Sequence, residues 1–145
     1  MEDDLSLVQV NASDGVVGLN NLGNTCYMNA ALQCLGNLEC VRHYLLGMHF
    51  YSEINTSNIL GSKGEIVTAL AKLWYNKWNK SCSYGHVNPS HFKKIFCEHS
   101  PMYQGYEQHD SAEFLAQLLD YVHEDVNRVR EKKYVEMPDL QGTEE

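Results

Sequence analysis

Apolar positions recur at intervals of three and four residues through most of the chain, and breaks rich in Gly, Asn and Pro separate the segments so patterned. Met28, Ala31, Leu32 and Leu35 fall on one face of a helix predicted from about Thr25 to Gly36, with Asn24 or Thr25 available as N-cap. Leu38, Val41, Tyr44 and Leu45 keep the same spacing, and Gly47 is a natural stop. Residues 48–61 lack a period and predict a loop. Ser62 and Glu65 have capping-box spacing ahead of a stripe of Ile66, Leu70, Leu73, Trp74 and Trp78, which is core in character. After a polar loop through Val87, Asn88-Pro89 predicts an N-cap with Pro at the first helical position, leading into Phe92, Ile95 and Phe96. Ser100 to Glu107 is a further loop. A last helix opens at Asp110 and carries Phe114, Leu115, Leu118, Leu119, Val122 and Val126, with Glu124 and Arg128 spaced for a surface pair. The pattern therefore predicts a mainly α fold with almost no strand. Residues 1–14 are expected to be a flexible N-terminal segment, 15–130 the helical unit, and 131–145 an exposed, charged and turn-rich tail.

One junction carries chemistry. Between Gly18 and Cys26 the residues Gly18, Asn20, Asn21, Gly23 and Asn24 favour bends and left-handed backbone, so this stretch breaks into the first helix and delivers Cys26 to its first turn. Unpaired N–H groups at a helix start favour an anion, so a thiolate at Cys26 is favoured over the thiol there. A single cysteine at such a place can also be a small buried hydrophobe.

The string Gly18-Leu19-Asn20-Asn21-Leu22-Gly23-Asn24-Thr25-Cys26-Tyr27-Met28-Asn29, continuing to Leu32-Gln33-Cys34-Leu35, resembles the cysteine box of the ubiquitin-specific proteases. Gln108-His109-Asp110-Ser111-Ala112-Glu113-Phe114 resembles the same family's Gln-x-Asp-x-x-Glu-Phe box. Leu60 to Glu65, His86 to Phe92 and Asp125 to Val129 are similar to the subgroup that carries extra ubiquitin-like modules, so the likeness runs over roughly residues 15 to 138. It implies the orthogonal helical thumb of a papain-like cysteine protease fold, and a deubiquitinase that hydrolyses the isopeptide bond at the terminal glycine of ubiquitin. Cys26 then corresponds to the nucleophile and Asn21 to the side chain that stabilises the oxyanion. Asp110 and Glu113 match carboxylates that hold the basic C-terminal tail of ubiquitin, with Gln108 as a backbone-contact candidate. Read from the residues alone, Asn21 is an ordinary turn residue, and Asp110 with Glu113 has the spacing of a capping box.

The chain departs from that family's pattern in one respect. The family's histidine box, its orienting Asp or Asn, and its β-rich palm and fingers come far downstream of the cysteine, and none is present here. His43, His49, His86, His91, His99, His109 and His123 lack the expected context; His86 is expected in a loop, and His109 in a surface or supporting place. The chain alone is therefore expected to be inactive, needing the missing C-terminal half of the catalytic domain as partner. Ubiquitin and ubiquitinated proteins are the other expected partners. A non-catalytic ubiquitin-binding or scaffolding module is the alternative, and an unrelated cysteine hydrolase a more distant one.

Composition bounds the picture further. A net charge of −8 and 43% apolar residues suit one domain with a single core and a partner bearing a basic tail, and disfavour nucleic acid and anionic membrane. With an acidic N-terminus and no apolar run of bilayer length, the expected localisation is cytoplasmic or nuclear. Five cysteines, without any Cys-x-x-Cys pair, indicate neither a disulfide framework nor a zinc site, and no cofactor is expected. Cys34, Cys40 and Cys97 are expected to be buried, and the Asn-x-Ser/Thr triplets at Asn11, Asn55 and Asn79 to be chance occurrences.

Overall fold

The computed structural model describes residues 15–78 and 85–130. Five helices make up most of it: α1 (Cys26–Gly36), α2 (Glu39–Leu46), α3 (Glu65–Trp78), α4 (Ser90–His99) and α5 (Ser111–Asp125). The mainly helical expectation holds, and each expected helix is present. The expectations for residues 1–14, 79–84 and 131–145, Asn79 among them, lie outside the described residues.

The centre is α3. Ile66, Val67, Ala69, Leu70, Ala71, Leu73, Trp74 and Trp78 are all buried, because α2, α4 and α5 pack around it and a helix surrounded by neighbours is apolar on nearly every face. On α1, the Met28, Ala31, Leu32 and Leu35 stripe is buried as its spacing predicts, and it rests against α5. Phe92 and Phe96 of α4 stack at 5.9 Å, and Phe96 meets Phe114 of α5 at 4.9 Å. Burying such rings supplies about 1.5–3 kcal/mol each, the largest favourable contribution to a core of this size.

Two short strands correct the loop expectation. β1 (Gly18–Leu19) and β2 (His86–Val87) form a parallel pair with Gly18 opposite His86 and Leu19 opposite Val87. Gly18 N–H donates to Gly85 O at 3.1 Å and Asn20 N–H to Val87 O at 3.0 Å. His86 is thus a strand residue, since a two-residue ladder is set by backbone pairing at long range and has no side-chain period. The loops at 48–61 and 100–107 also contain 3₁₀ turns, at His49–Ser52 and Pro101–Tyr103.

Several local expectations are corrected by tertiary contacts. Ser62 accepts from Ile66 N–H at 2.8 Å, but Glu65 does not return to Ser62: it pairs with His99 at 2.8 Å. The Ser62 N–H goes instead to Asp125, 2.6 Å away and wholly buried. The Glu124–Arg128 pair is not formed, because Glu124 accepts from Asn58 Nδ2 at 2.5 Å and Arg128 pairs with Glu53. Asn88 Oδ1 accepts from Ser90 N–H at 2.9 Å, yet α4 begins one residue after Pro89. Cys34 and Cys40 are exposed, whereas Cys97 is buried as expected. Leu119, placed on the apolar face of α5, is 44% exposed. Asn55 is buried, and its side chain is committed to Asn127 O at 2.9 Å and to Ser57. No helix among the described residues is long and apolar enough to cross a membrane.

Candidate active site

Cys26 is the first residue of α1 and is exposed. The left-handed turn that delivers it uses Gly23 at φ 96° and Asn24 at φ 52°, both residue types that tolerate that region. Neither Asn24 nor Thr25 caps the helix by its side chain. Thr25 is buried and turns its Oγ1 backward, accepting from Leu22 N–H at 2.9 Å. The N–H groups of the first turn are consequently left to face an anion.

Asn21 sits with its amide carbonyl turned inward. Its Oδ1 accepts from Gly23 N–H, Thr25 N–H and Thr25 Oγ1, each at 3.1 Å. Three donors on one oxygen fix which end of the amide faces the loop, and the Nδ2 donor is left without a partner among the described residues. Asn29, one turn into α1, ties the preceding segment down by donating to Asn20 O at 3.1 Å.

The second box opens α5. Asp110 is its N-cap, and Oδ1 accepts from both Ala112 N–H at 2.7 Å and Glu113 N–H at 3.0 Å. Oδ2 has no partner among the described residues, so an exposed carboxylate oxygen remains at the helix mouth. Glu113 lies one turn along, and Gln108 in the loop before; both are exposed.

The fold brings the two boxes together through the residues beside their polar groups. Tyr27, next to Cys26, lies edge-on to His109 at 5.2 Å and to Phe114 at 5.6 Å, the neighbours of Asp110 and Glu113. Tyr103 completes the cluster at 4.8 Å from His109. Above it, Asn24 Nδ2 donates to Tyr106 O at 2.8 Å, and Gly23 sits so close to the Tyr106 ring that a Cβ there would lie 2.9 Å from it. Lys93 reaches the same loop from α4, donating to Gly105 O at 2.8 Å. Burial, with the neighbouring Cys97, Tyr103 and Cys26 adding to it, pushes the Tyr27 phenol up to about 12. Burial likewise raises Tyr103, and it raises the Cys97 thiol, whose Sγ faces Tyr103 O at 3.2 Å. The buried cysteine is thus disposed to stay protonated.

Tyr27, Asn29 and Tyr106 support the site, and Asn24, offered as a possible N-cap, supports it through Tyr106 O instead. The signal for Tyr27 was its apolar register on α1, which the chemistry of Cys26 beside it overshadowed. All seven histidines lie among the described residues, and none forms a hydrogen bond with Cys26 Sγ. His109 is half-buried among the tyrosines, with Nε2 buried and unpaired. No group of three or more His, Cys, Asp or Glu side chains among the described residues is placed to hold a metal ion.

The family model for ubiquitin carboxyl-terminal hydrolases matches residues 17–142. The chain belongs to that family. Among its relatives, ubiquitin carboxyl-terminal hydrolase 4 of Bos taurus is 48% identical over 128 residues, covering 88% of this chain and 13% of the relative. Ubiquitin carboxyl-terminal hydrolase 15 of Homo sapiens is 43% identical over 132 residues, covering 91% of this chain and 13% of the relative. The chain therefore spans about an eighth of the length of these hydrolases. A SAGA DUB module bound to monoubiquitin has the same fold over 77% of this chain and 25% of that one, with a TM-score of 0.62 at 21% identity. The Cys26 loop and the Asp110 helix mouth both present exposed polar groups beside one aromatic cluster.

Proposed function

We propose that this chain is the thiol-bearing helical half of a deubiquitinase, with Cys26 as nucleophile toward the carbonyl of the terminal glycine of ubiquitin. The observation that carries the reading is the exposed Cys26 at a helix start no side chain caps, next to an Asn21 amide locked by its carbonyl. In the reaction, the thiolate adds to the isopeptide carbonyl and the negative oxygen meets the Asn21 Nδ2 and the free N–H groups of the first turn. Losing one such donor typically slows acyl transfer about 100- to 1,000-fold. The lysine amine leaves as it is protonated, and water hydrolyses the thioester.

Asp110 Oδ2, Glu113 and Gln108 are assigned to the arginine-bearing tail of ubiquitin, because an exposed carboxylate oxygen accepts a guanidinium with strength and direction. The general base and its orienting residue are assigned to sequence outside this chain, since no histidine here bonds to Cys26. The relatives and the solved DUB module support ubiquitin as the partner.

The test replaces the matching segment of bovine ubiquitin carboxyl-terminal hydrolase 4 with this chain and follows hydrolysis of a ubiquitin–fluorophore conjugate. The chimaera is expected to turn over, to lose all turnover with Cys26→Ala and to lose about 100-fold or more with Asn21→Ala. The 145-residue chain alone is expected to stay at background. A chimaera that binds ubiquitin yet never turns over makes the chain a ubiquitin-binding module instead.

A further inference from the structure

Lys77 lies near the C-terminal end of α3 and is only 1% exposed. Its Nζ donates to Gln33 Oε1 and approaches the Trp78 ring at 5.6 Å. Arg42, half-buried on α2, sets its guanidinium carbon 4.4 Å from the centroid of the same ring. Two cations thus share one indole, and neither forms an ion pair with a carboxylate among the described residues. Burial pushes the Lys77 pKa down, and the Arg42 charge pushes it further in the same direction.

The same cluster holds unused donors. Trp78 is 5% exposed, and its Nε1 is buried without a hydrogen-bond partner, as is Arg42 Nε. A buried donor left unpaired is costly, and a buried charge without its counter-ion more so. Native folds rarely keep such groups together unless something else meets them. An indole N–H, a guanidinium and an ammonium with no acceptor of opposite charge among the described residues are complementary to a planar anion with two oxygens.

We propose that Arg42, Lys77 and Trp78 form a carboxylate-binding pocket. The carboxylate has two possible sources. One is the chain's own acidic N-terminal sequence: Glu2, Asp3, Asp4 and Asp14 precede Gly15, and Gly15 abuts the Trp78 ring so closely that a Cβ would lie 2.1 Å from it. A group tethered that near the pocket enjoys a millimolar effective concentration. The other source is a carboxylate from outside the chain.

The test follows the Trp78 indole N–H and the Lys77 Cε by NMR in the 145-residue chain, titrating sodium acetate against sodium chloride at equal ionic strength. The second sample carries Glu2→Gln, Asp3→Asn, Asp4→Asn and Asp14→Asn together. If the chain fills its own pocket, the fourfold variant shifts both signals and acetate reverses that shift saturably, while the unaltered chain ignores acetate. If the carboxylate comes from outside, acetate shifts both signals saturably in either sample. Placed in the fourfold variant, which responds to acetate in both cases, Arg42→Gln weakens that response at least tenfold. Lys77→Met, which suits a buried site, abolishes it while the Trp74 indole signal keeps its folded position. Signals that acetate moves no more than chloride does, in both samples, overturn the pocket, as does a variant shift that acetate fails to reverse.

Discussion

Asp125 receives both the backbone N–H and the hydroxyl of Ser62, at 2.6 Å each, one on each carboxylate oxygen. Val67 N–H adds a third donor at 3.3 Å. The end of α5 is thereby tied to the start of α3, and Ser62 passes the link on by accepting from Ile66 N–H. Removing Asp125 leaves three buried donors unpaired, together a loss of about 3–5 kcal/mol. Asp125→Ala is therefore expected to cost that much in urea unfolding, and Ser62→Ala about 1–3 kcal/mol. The double variant is expected to cost clearly less than the sum of the two, since they share one link. Additive losses contradict the coupling.

That link shows what the sequence can and cannot express. The apolar stripes of α1 and α3 were legible because a helix repeats its face every 3.6 residues, so Met28, Leu32, Leu35, Leu70 and Trp74 announce themselves. The two motif boxes were legible as strings. Asp125 was not, because its polarity suited a surface and its three donors come from a loop and a helix far away in the chain. Lys77 was missed for the same reason: only the packing of α1 and α2 on its flank buries it. Cys34 and Cys40 erred the other way, since an apolar residue type says nothing of which side of its helix meets a neighbour. The short β1–β2 pair depends on backbone alignment alone, which leaves no trace in side-chain pattern.

Alkaline pH is expected to loosen the aromatic cluster. The folded-state Tyr27 phenol is raised from its ordinary value near 10 to about 12 by burial, so the folded chain holds its proton more tightly than the unfolded chain. Its contribution is fully present below pH 10 and is lost as pH rises from 10 to 12, on the order of 2–3 kcal/mol at most. Tyr44, half-buried and donating to Glu53, is raised to about 12 as well. A spectrophotometric phenolate titration of the folded chain is expected to show both groups ionising late. Tyr27→Phe is expected to flatten the fall of stability over that window, and an unchanged slope argues against a buried phenol.

The helix-start position of Cys26 is expected to express itself in reactivity. Cys34 is also exposed but sits near the C-terminal end of α1, so it serves as the internal reference, whereas Cys40 lies in the first turn of α2. With limiting iodoacetamide at neutral pH, mass-spectrometric mapping is expected to find Cys26 alkylated first and the buried Cys97 last. Labelling of Cys34 as fast as Cys26 means that the free N–H groups confer no advantage on the thiolate.

Asp110 holds two roles that substitution can separate. Its Oδ1 caps α5 through Ala112 and Glu113 N–H, whereas its charge and its free Oδ2 are assigned to the ubiquitin tail. Asp110→Ala removes both, and is expected to lose about 1 kcal/mol of stability from the cap along with substrate affinity. Asp110→Asn keeps a carbonyl oxygen in the capping position and removes only the charge. It is therefore expected to melt within a degree or two of the unaltered chain, while raising KM for ubiquitin conjugates in the active chimaera more than it lowers kcat, because the contact lies away from the bond that breaks. A thermal melt and steady-state kinetics on the same two variants decide the matter. If Asp110→Asn leaves KM unchanged, the carboxylate caps a helix and does nothing for recognition.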